Sequence, residues 1–316
     1  MKKRFNLLLI GGLGNQLFQI AAAEFIANGQ GISVYKLNNK RDIIGESDIE
    51  KFVLPVNLKF KKNLLPTKFV GKIYGYLARM KVHPRNYEKL QFIKYFITKI
   101  GQAVSLIYFK SIVEVYVPDN LGFTRLEISK NKNVAILGYF QSFKWHNSSF
   151  VTQFLNKLTL KNCGSLIKHL IDEANKEKPI ILHIRRGDYK VASGFGLLSA
   201  RYYLNAISKM ESILNFKNIW VFSDEINLVR NLISFDEKKY DIRWFGNLEL
   251  TDYETLELMR YGSGYIIANS TFSWWAAYLA YNKSAPVIAP NKWFQQGEDP
   301  NELCPPDWIK MESFWE

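Results

Sequence analysis

The stretch FNLLLIGGLGNQLFQIAAAEFIANGQGISVYKL, residues 5–37, decides the fold. Phe5 to Ile10 form an apolar run that reads as a buried strand. Gly11 to Gly14 make a tight glycine-rich turn. Asn15 to Ala27 carry a helix that stops at Asn28-Gly29, and Gly31 to Leu37 is the next strand. Strand, turn, helix and strand in that order open a parallel α/β domain.

The same rhythm returns after Gly164. Ser165 to Lys176 is helical, Glu177-Lys178-Pro179 breaks it, and Ile180 to Ile184 is a strongly apolar strand. Helices at Tyr202–Leu214, Glu225–Leu232, Tyr253–Arg260 and Phe272–Tyr281 then alternate with strands at Asn218–Phe222, Arg243–Phe245 and Tyr265–Ala268. Pro286–Ala289 closes the series as the last strand, and Asn133–Gly138 adds a strand to the first half. At 316 residues, 47% hydrophobic and 15% aromatic, the chain can bury two cores. The predicted fold class is α/β, with two Rossmann-type domains, 1–160 and 161–316, facing each other across a cleft. In such sheets, ligands bind at the carboxyl ends of the strands.

Composition excludes several classes. Met1-Lys2-Lys3-Arg4 before an apolar run imitates a signal peptide, but the run is short, ends in Gly-Gly-Leu-Gly and has no small-x-small cleavage site. No stretch approaches the ~20 apolar residues of a membrane span. Cys163 and Cys304 are far apart and point to a reduced, cytoplasmic setting. The net charge of +13 is concentrated: Lys59 to Lys110 holds twelve Lys or Arg against one acid, Glu88. Phe92, Ile93, Phe96, Ile97 and Ile100 interleave with those lysines at helical spacing. The segment reads as a basic helical insertion, either a solvated face or a peripheral contact with an anionic membrane. No nucleic-acid-binding motif accompanies the charge, so nucleic acid is not an expected partner.

Four clusters follow strands and carry candidate chemistry. In Gly11-Gly12-Leu13-Gly14-Asn15-Gln16, glycines let the backbone approach a phosphate and the helix start offers free N–H groups. Alone it is also compatible with a simple tight turn, since Leu17 stands where a dinucleotide fingerprint wants Gly or Ala. His183-Ile184-Arg185-Arg186-Gly187-Asp188-Tyr189 puts two arginines at a buried strand end. One is a natural partner for Asp188 and the other is free to grip a phosphate; a structural Arg–Asp pair beside a core histidine is the alternative. Strand alternation sends His183 and Arg185 to one face and Ile184 and Arg186 to the other. Ser223-Asp224-Glu225 is either a helix cap or a ligand-binding turn, and a carboxylate there could accept two N–H bonds from a guanine edge. Asn269-Ser270-Thr271-Phe272-Ser273 opens a helix and makes a second anion cradle, or a Ser/Thr cap over aromatic packing. Together the four clusters suit one ligand with two phosphates. No Asp-x-Asp, HExxH or Cys/His cluster occurs, so no metal site is expected.

GGLGNQLFQIAAAEFIA, GYFQSFKW, HIRRGDY, VFSDE, IIANSTFSWWAAYLA and VIAPNKWF, in order from Gly11 to Phe294, resemble the motif series of glycosyltransferase family 11, the α-1,2-fucosyltransferases. Lys144-Trp145-His146 stands where typical members read Lys-Tyr-Phe, and Gly262-Ser263-Gly264 replaces a Cys-Lys-His-type stretch. The resemblance implies a GT-B-like fold and inverting transfer of L-fucose from GDP-β-L-fucose to a galactoside hydroxyl, without a metal cofactor. The donor set it implies is Gly12, Gly14, Asn15, Gln16, His183, Arg185, Arg186, Ser223, Asp224, Asn269, Ser270, Thr271, Phe272 and Ser273. Arg185 would hold the β-phosphate and Asp224 would read guanine. Asp188 is the nearest motif carboxylate to serve as base, or a brace for Arg186. Tyr139, Gln141 and Lys144 would face an oligosaccharide or lipid-linked glycan acceptor. Another GDP-sugar or linkage, or non-catalytic binding of a nucleotide sugar or a membrane surface, is the alternative.

Overall fold

The computed structural model describes residues 4–36, 48–61, 113–116, 121–124, 133–190, 194–246 and 250–316. The chain divides into two compact units. The first comprises residues 1–158 with 297–303, and the second 159–296 with 304–316. The division thus falls two residues before the expected boundary at 160/161, and a late excursion returns to the first unit. That return is held by Ser142, whose hydroxyl donates to the Glu302 carbonyl at 2.7 Å, and by an ion pair between Lys144 and Glu302.

The first unit contains a wholly parallel sheet in the order β3-β2-β1-β5-β4, from β1 (Phe5–Leu9), β2 (Ile32–Lys36), β3 (Leu58–Phe60), β4 (Val113–Tyr116) and β5 (Asn133–Ile136). Helix α1 (Leu13–Ala27) follows β1, with Ala21, Ala22 and Ala23 fully buried. Small side chains let the helix lie close to the sheet. Asn28 ends it in the left-handed conformation at φ 49°, its N–H donating to the Glu24 carbonyl. Helix α2 (Ser149–Lys157) closes the unit. Trp145 is fully buried among Phe25, Phe123 and Phe140. The departure at Lys144-Trp145-His146 is therefore, at Trp145, a matter of core packing.

The second unit carries β6 (Ile180–Ile184), β7 (Asn218–Ser223), β8 (Asp241–Phe245), β9 (Gly264–Ile266), β10 (Val287–Pro290) and β11 (Ile309–Met311). These form a parallel sheet in the order β11-β10-β9-β6-β7-β8. Its helices are α3 (Ser165–Glu177), α4 (Ala200–Glu211), α5 (Ile226–Leu232), α6 (Asp252–Met259) and α7 (Thr271–Tyr278). Ile180, Leu182, Ile184, Tyr202, Tyr203, Met210, Val221 and Ile266 lie in one apolar core. Gly262 and Gly264 close against the sheet. A Cβ on Gly262 would lie 2.5 Å from Ile181 Cγ1, and one on Gly264 2.9 Å from Ile180 Cδ1.

Pro286–Ala289 is not the last strand: β11 lies beyond it. Short β3, β4 and β11, and helix α2, were not expected either. β3, β4 and β11 are edge strands whose short apolar runs are broken by Lys59, Glu114 and Lys310, whereas the equally short β5, β9 and β10 lie in apolar runs. The basic insertion expected at 59–110 lies outside the described residues beyond Lys61. Among the described residues, no helix is long and apolar enough to cross a membrane.

Candidate active site

In the second unit the winding reverses between β6 and β9, and in the first the middle of the sheet pairs β1 with β5. Strand order leaves a crevice at the carboxyl ends of such a pair. The glycine turn and Gly138–Lys144 follow β1 and β5; His183–Tyr189 and Asn269–Ser273 follow β6 and β9.

In the second unit Arg185 is the centre. Its Nε and Nη2 both donate to Asp188 Oδ1, at 3.1 and 2.7 Å, and its Nη1 lies 3.2 Å from Asp224 Oδ2. Asp224 Oδ1 accepts the backbone N–H of Arg186 at 3.0 Å. Burial works against the Arg185 charge, but Asp224 and Asp188 outweigh it and hold its pKa above the ordinary arginine value. Asp188 therefore braces Arg185, correcting the expected alternative of a brace for Arg186. Arg186, on the opposite face, gives its guanidinium to Glu316, with Nη2 at 2.9 Å from Oε2. Alternation along the extended backbone separates the two arginines.

His183 is buried, and its pKa is pushed down to about 3 by burial and then by the Arg185 charge. It is a neutral imidazole whose Nδ1 has no hydrogen-bond partner, and its ring lies 5.9 Å from that of Phe272. The Tyr189 hydroxyl donates to the Asn269 carbonyl at 3.0 Å, tying the turn after β6 to the loop before α7. Ser270 caps α7 by accepting the Phe272 N–H. Thr271 and Phe272 form the helix start. Ser273 is fully buried and donates to the Ser270 carbonyl. The Asn269 amide donates to the carbonyls of Phe195 and Trp293, at 3.1 Å each. Asn269 and Ser273 thus shape the loop from within. Ser223 accepts the Glu225 N–H at 3.1 Å.

A pocket of about 430 Å³, including its open mouth, is lined by His183, Arg185, Phe222, Ser223, Asp224, Phe245, Gly246, Asp252, Thr255 and Phe272. Five of these belong to the expected donor set. Phe222, Phe245, Gly246, Asp252 and Thr255 were missed. Phe222 and Phe245 read as strand core, and the cue for Asp252 and Thr255 was that their helix follows a strand end. Glu316 had no local cue, being 130 residues from its partner.

In the first unit Gly11 has φ +76°, and an added Cβ there would meet Asn15 Nδ2 at 2.8 Å. Gly12 has open space where a side chain would be. Gly14 is buried, and Gln16 Nε2 donates to the Gly11 carbonyl at 2.9 Å. Gln19 was not singled out. It is fully buried, with Oε1 accepting the Ile10 N–H and Nε2 donating to the Ile10 carbonyl, both at 2.9 Å. Gln141 Nε2 donates to Asn15 Oδ1 at 3.1 Å, while Gln141 Oε1 is buried without a partner. Tyr139 lies two residues before Gln141 on the same loop, and Lys144 is engaged by Glu302. Among the described residues, no cluster of three or more His, Cys, Asp or Glu could hold a metal ion.

Two parallel α/β units, with polar residues at the carboxyl ends of their central strands, define a GT-B-like glycosyltransferase fold. The E. coli ADP-heptose LPS heptosyltransferase II has the same fold: TM-score 0.50, 8% identity, 98% of this chain and 90% of that one covered. Glycosyl transferase family 11 matches residues 120–312, and the chain belongs to that family. An Escherichia coli α-1,2-colitosyltransferase is 28% identical over 96% of this chain and 97% of its own. The O-antigen biosynthesis glycosyltransferase WbnK of Escherichia coli is 27% identical over 96% and 99%.

Proposed function

We propose that this glycosyltransferase is an inverting α-1,2-fucosyltransferase acting on a galactoside hydroxyl, with GDP-β-L-fucose as donor. The single observation that carries the reading is Arg185. It is a partly buried cation at the winding reversal, aimed by two carboxylates and lining the pocket. Such a group stabilises charge where it develops on a departing diphosphate. The acceptor oxygen bonds to C1 of fucose as the bond from C1 to the β-phosphate oxygen breaks, so the β configuration becomes α and GDP leaves. The N–H groups at the start of α7 and Arg185 take up the negative charge, a role that metal-dependent transferases give to a cation. Asp188 keeps its side chain half exposed and uses only Oδ1 on Arg185. Its Oδ2 is the proposed acceptor of the hydroxyl proton. The α-1,2 specificity in the name of the colitosyltransferase relative supports the linkage, and makes colitose the second donor sugar to test.

The test is a thermal-shift panel of GDP-fucose, GDP-mannose, UDP-galactose, NAD and ATP, each with and without EDTA. Turnover with galactoside acceptors, using GDP-fucose and GDP-colitose, follows. Selective stabilisation by GDP species, unaffected by EDTA, is expected. No shift with any GDP species at millimolar concentration would remove the donor assignment.

A further inference from the structure

The pocket contains two carboxylates, and the geometry points to Asp252 on α6, not Asp224, as the group that reads the edge of the donor base. The inference rests on the proposed guanine-nucleotide donor and deepens it.

The order β9-β6-β7-β8 places the two phosphate-binding elements side by side. Ser270–Phe272 follow β9, and Arg185 follows β6. A nucleotide whose phosphates lie there must extend its base toward β7 and β8. Strands are about 4.8 Å apart, so β6 to β8 spans about 10 Å, within reach of a nucleoside diphosphate. At the β7–β8 end the pocket wall is aromatic: Phe222 and Phe245 are stacked, with centroids 4.7 Å apart. Beside them lie Gly246, Asp252 and Thr255.

Asp224 is a poor candidate because it is already engaged. One oxygen accepts the Arg186 N–H and the other faces Arg185, and its side chain is only 12% exposed. Gly187 also crowds it, since a Cβ there would come within 2.4 Å of Asp224 Oδ2. Asp252 is exposed, lines the same pocket and sits on the first turn of α6, which a Thr251–Glu254 capping box fixes. A carboxylate at this end can accept the two adjacent donors of guanine, N1–H and the 2-amino group, together. The unpartnered Nδ1 of buried His183 gives the pocket a second polar atom for a ligand.

The experiment exploits base chemistry. Xanthine replaces the 2-amino donor of guanine with a carbonyl, so an Asp→Asn change at the reading position exchanges an acceptor for an amide that can donate. GDP and xanthosine diphosphate are titrated calorimetrically into the wild-type chain and into Asp252→Asn, Asp252→Ala and Asp224→Asn. Circular dichroism checks each fold. The wild type is expected to prefer GDP. Asp252→Asn should weaken GDP roughly five- to a hundredfold, the range of one bidentate base contact, and tighten xanthosine diphosphate. Asp252→Ala should weaken GDP without the gain, and Asp224→Asn should weaken both diphosphates together. Inversion of preference in Asp224→Asn, or unchanged GDP affinity in both Asp252 variants, overturns the assignment and leaves the donor reading standing. A wild type that binds no guanine nucleotide removes both.

Discussion

Arg185 and Asp224 stand one step beyond the last paired residues of two adjacent parallel strands, Ile184 and Ser223, and meet there at 3.2 Å. Strand register alone brings them together. Asp188 then closes on the same guanidinium from the next turn of chain. The result is a cation braced by two carboxylates, the arrangement that the proposed role in stabilising a departing diphosphate requires.

Removing that cation should act on the chemical step. Arg185→Ala is expected to lower kcat by about 10²–10³, with a smaller effect on the donor KM. Arg185→Lys should recover only part of the loss, because an ammonium cannot address two carboxylates with a planar fork. Steady-state kinetics with GDP-fucose decides, and normal turnover in Arg185→Ala would refute the role.

Gly187→Ala is a probe of the bracket around Arg185. The added Cβ must displace the Asp224 carboxylate, which loosens its bonds to the Arg186 N–H and to Arg185. Hydrogen bonds to charged groups contribute about 1.5–3 kcal/mol, so GDP affinity should fall about tenfold or more. Wild-type affinity in this variant would show that Asp224 does not set the site.

Acid should destabilise the fold through its buried imidazoles. Burial holds His146 at a pKa of about 3, and His183 lies at about 3 as well, against about 6.5 in an unfolded chain. The unfolded state therefore binds the proton first. This stability is complete above about pH 6.5 and is lost progressively as pH falls toward 3. Melting temperatures measured from pH 8 to pH 4 should fall, and His146→Gln should flatten the fall. An unchanged slope in that variant counts against the mechanism.

Glu316→Gln separates the two arginines. It removes the charge facing Arg186, and with Glu316 partly exposed the loss should be about 1 kcal/mol. That corresponds to a melting shift of about 2–4 °C for a domain of this size, with GDP affinity within twofold of wild type. A large loss of GDP affinity instead would place the Arg186 guanidinium on the donor.

Apart from β11, the strands and helices of the second unit could be read from the sequence to within a few residues. Buried parallel strands are continuous apolar runs, and polar residues concentrate where those runs end. Helix α1 was legible from the Gly-rich turn and the stop at Asn28. Edge strands β3, β4 and β11 were not, because a charged residue interrupts each short apolar run.

By itself, then, the sequence determined the alternation of strand and helix, the strand ends at which polar residues gather, and the separation of His183 and Arg185 from Ile184 and Arg186. Those follow from local periodicity and backbone alternation. Tertiary structure alone decided which charge meets which. Asp188 and Asp224 converge on Arg185, Glu316 claims Arg186 from 130 residues away, and Asp252 reaches the pocket. Such pairings depend on strand order and on where a distant turn is packed, and no local pattern of residues encodes the distance between two side chains.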